Sequence, residues 1–221
     1  MNRSLIEGAY LGKTIFDKTI NGNQDIIAEL LLCEYVNKTD MSDKFIINCM
    51  KNNEMFIPVF FEKKFVDDTF IQKLISEVKK RYPTIQEVWL IGTSMGTISS
   101  SFVPTYESKT YAGAIHTAAI TEPYARNSYR ELINFDYKKS GIPQFFIHHK
   151  DDPCYLTTWS GAKSISDKYG IPLITVFGGS NFQGNPCNAF TEHGFRGKES
   201  EVMQTIREII LTGASKSSEI K

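Results

Sequence analysis

The stretch "EVWLIGTSMGTISSS", from Glu87 to Ser101, limits the fold more than any other part of the chain. An apolar run ends in Gly-Thr-Ser-Met-Gly and passes directly into residues that suit a helix. A strand that turns so sharply into a helix leaves almost no room for side chains two positions either side of its apex. Gly92 and Gly96 occupy those positions, and Ser94 is the apex. The pattern is Gly-x-Ser-x-Gly between a predicted strand and a predicted helix. In such an elbow the serine backbone is strained and its hydroxyl stands exposed above the sheet. The nitrogen of the next residue, Met95, would face the oxygen of a bound acyl group. The helix N-terminus adds a field favourable to negative charge.

The surrounding pattern fits a sheet that can hold such a turn. Apolar runs alternate with helical periodicity, as in βαβ units with a largely parallel sheet. "MFIPVFF" (Met55 to Phe61) reads as a strand, with Pro58 arguing for an edge or a bulge. Phe70, Ile71, Leu74, Ile75 and Val78 share one helical face, and Pro83 closes that helix. "YAGAIHTAAI", "QFFIHH" and "PLITVFGG" read as further strands. A helix from about Thr157 to Tyr169 should stop at Gly170. Val202, Ile206, Ile209 and Ile210 mark a last helix that should stop at Gly213. The expectation is one α/β domain over residues 1–213. Within 1–54, "QDIIAELLLCEYV" and "DKFIINCMKNNE" both suit helices, and the first could equally hold a strand. Residues 214–221, "ASKSSEIK", have too little apolar content to pack and are expected to be a flexible tail.

Composition excludes several classes of function. At 221 residues a single domain buries roughly 70% of its unfolded surface and needs no metal or disulfide to hold a core. The 25 basic and 25 acidic residues balance, without the basic footprint of nucleic-acid binding. No apolar run is long enough for a membrane span, and the first residues lack the apolar stretch of a signal peptide. That points to the cytoplasm, unless a leader once preceded this sequence, in which case export follows. None of the four cysteines forms a CxxC pair, so neither a zinc site nor a redox motif is indicated; free thiols are the plain reading.

Ser94 would need a base, and the base an orienting acid. In an elbow-bearing sheet these follow in the order serine, acid, histidine. "QFFIHHKDDPC" sets Asp151 and Asp152 just past a strand, and either can be the acid. The loop "GGSNFQGNPCNAFTEHGFRGKE" carries His193 between the last strand and the last helix. Of the other three histidines, His116 lies inside a strand of small residues and reads as packed and hydrogen-bonded. His148 and His149 precede the aspartates, where one could brace their loop. The order predicts a serine hydrolase that cleaves a small or medium acyl ester through an acyl-enzyme and needs no cofactor; a thioesterase or peptidase would carry the same triad. Its partner would be a small-molecule acyl substrate. Tyr124, Tyr129, Phe135 and Tyr137 could line a cap or serve as packing, with packing favoured.

"VWLIGTSMGTIS", "FIHHKDDPC" and "GNPCNAFTEHGF" together resemble a largely uncharacterised group of bacterial α/β-hydrolases. The group carries a Gly-Thr-Ser-x-Gly-Thr elbow, His-His-x-x-Asp-x-Cys and Cys-x5-His-Gly-Phe/Tyr. The resemblance covers roughly Met55 to Leu211. It implies the α/β-hydrolase fold, with helices on both faces of a mostly parallel sheet. It implies Ser94 as nucleophile, Asp152 rather than Asp151 as acid, and His193 as base. It also implies a bridge between Cys154 and Cys187, and an exported protein. One departure lies upstream, where these hydrolases take a second oxyanion donor from a glycine-rich loop. Here no glycine occurs between Gly22 and Gly92. That departure keeps a second expectation open, a hydrolase-fold binding protein with weak or no catalysis.

Overall fold

The computed structural model describes residues 83–123, 132 and 134–221, together with 72, 75, 76, 79 and 80 and the backbone of strands 27–32 and 54–59. Among these residues seven strands form one sheet: β1 (Ile27–Leu32), β2 (Glu54–Val59), β3 (Trp89–Thr93), β4 (Gly113–Thr117), β5 (Gln144–His149), β6 (Leu173–Val176) and β7 (Glu219–Ile220). Their order is β2-β1-β3-β4-β5-β6-β7, and every pairing is parallel. The helices are α1 (Gly96–Phe102), α2 (Trp159–Tyr169) and α3 (Glu199–Thr212). Gln72, Ile75, Ser76, Lys79 and Lys80 are also helical.

A parallel sheet covered on both sides buries both faces of its inner strands, which is why they read as near-continuous apolar runs. Successive residues serve opposite faces. Trp89, Ile91, Phe145, Ile147, Ile174 and Val176 meet Val202, Ile206 and Ile209 of α3. On the other face Phe146 packs with Ile120, Leu132, Phe135 and Tyr137, against Ile98 of α1 and Ile165 of α2. Ile75 packs with Val88 and Leu90 on that second face's flank. Helices thus cover both faces, as expected. Phe135 and Tyr137 are packing residues, 7% and 2% exposed; Tyr124 and Tyr129 lie outside the described residues.

Several boundaries fall where the sequence puts them. Pro58 sits on β2, an edge strand among the described residues, the position in a sheet where proline is tolerated. Gly170 and Gly213 end α2 and α3 with φ of 68° and 70°, the left-handed cap that glycine adopts without strain. "QDIIAELLLCEYV" holds a strand, β1, beside β3; "DKFIINCMKNNE" lies outside the described residues.

The tail is a correction. Residues Glu219–Ile220 form β7, the edge strand beside β6, instead of hanging loose. Thr175 N–H donates to the Ser218 carbonyl and Phe177 N–H to that of Ile220, both at 2.8 Å. Ile220 adds one apolar side chain to the core, 8% exposed. Backbone hydrogen bonds need no apolar content, so composition could not reveal this. No helix among the described residues is long and apolar enough to cross a membrane.

Candidate active site

Because all strands run parallel, their carboxyl ends share one edge of the sheet, where open α/β sheets place their ligands. Ser94 follows β3, Asp152 follows β5, and His193 follows β6. Three residues far apart in sequence are thereby brought to one side.

Ser94 has φ of 51°, a left-handed conformation that costs a non-glycine residue on the order of 1–3 kcal/mol. The surroundings hold it there. Its N–H donates to the Thr117 carbonyl of β4 at 3.0 Å, and its carbonyl accepts from Thr97 N–H at 2.9 Å. The hydroxyl of Thr97 donates to that same carbonyl. A Cβ on Gly92 would run into Ser100 Oγ and the Gly96 carbonyl, so strand and helix meet only because position 92 is glycine. Ser94 itself stays half-buried and reachable, and Met95 is the N-cap of α1.

Asp152 is fully buried at its side chain, whereas Asp151 is exposed. The Asp152 carboxylate accepts from Cys154 N–H at Oδ1 and from the Thr157 hydroxyl at Oδ2, each at 2.9 Å. His193 Nδ1 lies 3.1 Å from Oδ2 and 3.3 Å from Oδ1. Since the carboxylate only accepts, the proton is on Nδ1, which leaves Nε2 as the basic nitrogen. No hydrogen bond joins Ser94 Oγ to His193 among the described residues; such contacts often tighten only when substrate binds.

The loop that carries His193 is anchored on both sides of it. Thr191 Oγ1 accepts from His193 N–H at 3.2 Å. A Cβ on Gly194 would strike the backbone of Ala189. Phe195, at φ of 60°, puts its ring into the core, 5% exposed. The His-Gly-Phe run is thus an imidazole paired with Asp152, followed by a close backbone contact and an apolar anchor.

A covalent and a polar tie connect the loops that carry Asp152 and His193. Cys154 and Cys187 form a disulfide with a Cα–Cα distance of 4.6 Å, closing 33 residues. In the chain-entropy picture a loop of that size is worth about 4 kcal/mol. His149 Nδ1 accepts from Asp151 N–H at 3.0 Å, and Nε2 donates to the Gly178 carbonyl at 2.8 Å. His148 beside it is buried, and its Nε2 has no hydrogen-bond partner. Burial holds its basicity down, partly opposed by the Asp152 carboxylate. His116 is fully buried between Ser100 Oγ (2.8 Å) and Gln144 Oε1 (3.2 Å), and burial pushes it down to about 4. Cys33 and Cys49 lie outside the described residues.

The sequence reading did not single out Thr157. Its hydroxyl touches both Asp152 and His193, the latter 36 positions away at 3.0 Å. No local pattern announces such a contact. A cleft of about 380 Å³ opens at the opposite edge of the sheet, lined mainly by residues 140–145 and 169–172 at the amino ends of β5 and β6, so it is remote from Ser94. Among the described residues no group of three or more His, Cys, Asp or Glu could hold a metal ion.

No family model matches the chain, and no curated protein matches it in sequence. Solved structures match in shape. Est1E from Butyrivibrio proteoclasticus superposes with a TM-score of 0.59 at 12% identity, over 86% of this chain and 89% of that one. A pyrethroid hydrolase from Sphingobium faniae JZ-2 gives 0.55 at 11%, over 85% and 98%. A thermostable carboxyl esterase from Bacillus coagulans gives 0.55 at 11%, over 86% and 91%. The chain has the α/β-hydrolase fold.

Proposed function

We propose that the protein is a serine hydrolase that cleaves a small or medium acyl ester. The observation that carries this reading is the buried Asp152–His193 pair, which orients an imidazole whose free nitrogen is Nε2, at the same sheet edge as the strained Ser94. His193 Nε2 takes the hydroxyl proton of Ser94 as Oγ bonds to the carbonyl carbon. Asp152 stabilises the imidazolium. Met95 N–H donates to the oxyanion. Collapse of the tetrahedral adduct breaks the bond to the alcohol, which leaves with the proton from His193. Water then repeats the sequence on the acyl-enzyme and frees Ser94. The esterase names of the fold neighbours support an ester over other acyl substrates, and the disulfide suits an exported protein.

A second reading, a binding protein on a hydrolase fold, draws on the glycine-free stretch from Gly22 to Gly92. Strand β1 ends at Leu32, level with Gly92, and the residues that follow it lie outside the described residues. Loss of one oxyanion donor costs about 10²–10³ in rate. Labelling by a fluorophosphonate probe separates the two readings. Folded wild type should label, whereas Ser94→Ala and heat-denatured protein should not. Unlabelled wild type would favour the binding protein.

A further inference from the structure

The hydroxyl of Thr157 closes a triangle with the two residues of the Asp152–His193 pair. It lies 2.9 Å from Asp152 Oδ2 and 3.0 Å from His193 Nδ1, while those two atoms are 3.1 Å apart. A hydroxyl has a single proton, and a carboxylate has none to give. Thr157 therefore donates to Asp152 Oδ2. Its oxygen is then free only to accept, and the one proton in reach is that on His193 Nδ1. All three side chains are removed from water: Thr157 is 0% and His193 4% exposed, and the Asp152 side chain is fully buried. Thr157 is itself held in place, its N–H donating to the Cys154 carbonyl at 3.1 Å.

We propose that Thr157 is a positioning residue for His193, a third member of the hydrogen-bonded set behind the base, and that it acts on turnover through the imidazole. This rests on the serine-hydrolase reading. One effect follows. The Nδ1 proton has acceptors on two side chains around it, Asp152 and Thr157, so the ring cannot swing about its bond to Cβ without losing both. His148, its basicity held down by burial, also bears on the pair.

Thr157→Val keeps the side-chain shape but removes the hydroxyl, and Thr157→Ser keeps the hydroxyl. In Thr157→Val, kcat should fall roughly tenfold, as for one hydrogen bond to a charged group, with KM little changed. Thr157→Ser should restore kcat. A Thr157→Val protein that folds and matches wild type in kcat would overturn the proposal. A readout on the wild type alone covers a variant that does not fold. By proton NMR the Thr157 hydroxyl should exchange slowly and give a cross-peak to the His193 Nδ1 proton. A fast-exchanging hydroxyl without that cross-peak would overturn the proposal. If the wild type neither turns over esters nor labels, the enzymatic reading falls, while the hydroxyl proton still decides whether Thr157 holds His193.

Discussion

His149 Nε2 donates to the carbonyl of Gly178 at 2.8 Å, across 29 positions of sequence. Gly178 stands at the start of the loop that carries His193, two residues past β6, and His149 ends β5. With Nδ1 accepting from Asp151 N–H, one ring fastens the loop of Asp152 to the loop of His193. His149→Phe keeps the ring's bulk and removes both bonds. It should lower stability by about 1–3 kcal/mol, the range for leaving buried polar groups unpaired, and should reduce turnover as well. Urea midpoints with unchanged slope would measure the first effect. An unchanged midpoint would show that water replaces the ring at no cost.

The two aspartates should separate cleanly. Asp152 is buried against His193, and Asp151 faces solvent. Asp152→Asn should cut kcat by a factor on the order of 10⁴ with the fold intact, because the amide favours the wrong imidazole tautomer. Asp151→Asn should stay near wild type. Steady-state rates on one ester decide it, and the reverse ranking would move the acid by one residue.

Gly194 has no space for a side chain, since a Cβ would meet the Ala189 backbone. Gly194→Ala should displace the residue directly after His193. A loss of stability of about 1–3 kcal/mol is expected, as for overpacking, together with a loss of labelling at Ser94. Thermal melting and probe labelling on one preparation measure both. Full labelling would mean that the loop can shift without moving the base.

Acid should weaken the fold through His116. The ordinary value of 6.5 falls to about 4 when this ring is buried, with burial as the cause and the Gln144 bond opposing it. The unfolded chain takes up a proton as pH drops below 6.5, and the folded chain does so only near 4. The stabilising contribution is therefore complete above 6.5 and is lost as pH falls towards 4, up to about 3 kcal/mol. His148 is shifted in the same direction by burial and adds to the trend. His116→Gln should flatten the dependence of the urea midpoint on pH between 6.5 and 4.5. Parallel curves for wild type and variant would sink the assignment.

What could be read in advance was what a few contiguous residues force. Gly92 and Gly96 around Ser94 announce a turn with no space, and a left-handed serine with helix and strand in contact is the outcome. Gly170, Gly213 and Pro58 act through their own backbone chemistry and fall at their expected places. His116, read as packed and hydrogen-bonded, is so. The pairing of Cys154 with Cys187 came from resemblance, because spacing alone does not select a partner. Thr157 and Ile220 escaped notice for another reason. Each matters through something distant, a histidine 36 positions on in one case and the backbone of β6 in the other. A short apolar run such as "IAELLL" suits helix or strand until a neighbour such as β3 chooses for it.

The parallel pairing of every neighbouring strand has a kinetic consequence. Among the described residues no two adjacent strands can zip from a tight hairpin, so each of these pairings waits for a long crossover segment to close. Such topologies fold slowly, because loop closure comes before contacts reward it. During that wait the four cysteines could pair fully in three ways, and only strands β5 and β6 side by side bring Cys154 to Cys187. Refolding from the reduced, denatured chain should thus be limited by the order of events. Sheet assembly has to outrun oxidation, and an oxidant supplied too early would trap chains that a thiol–disulfide shuffling system could release.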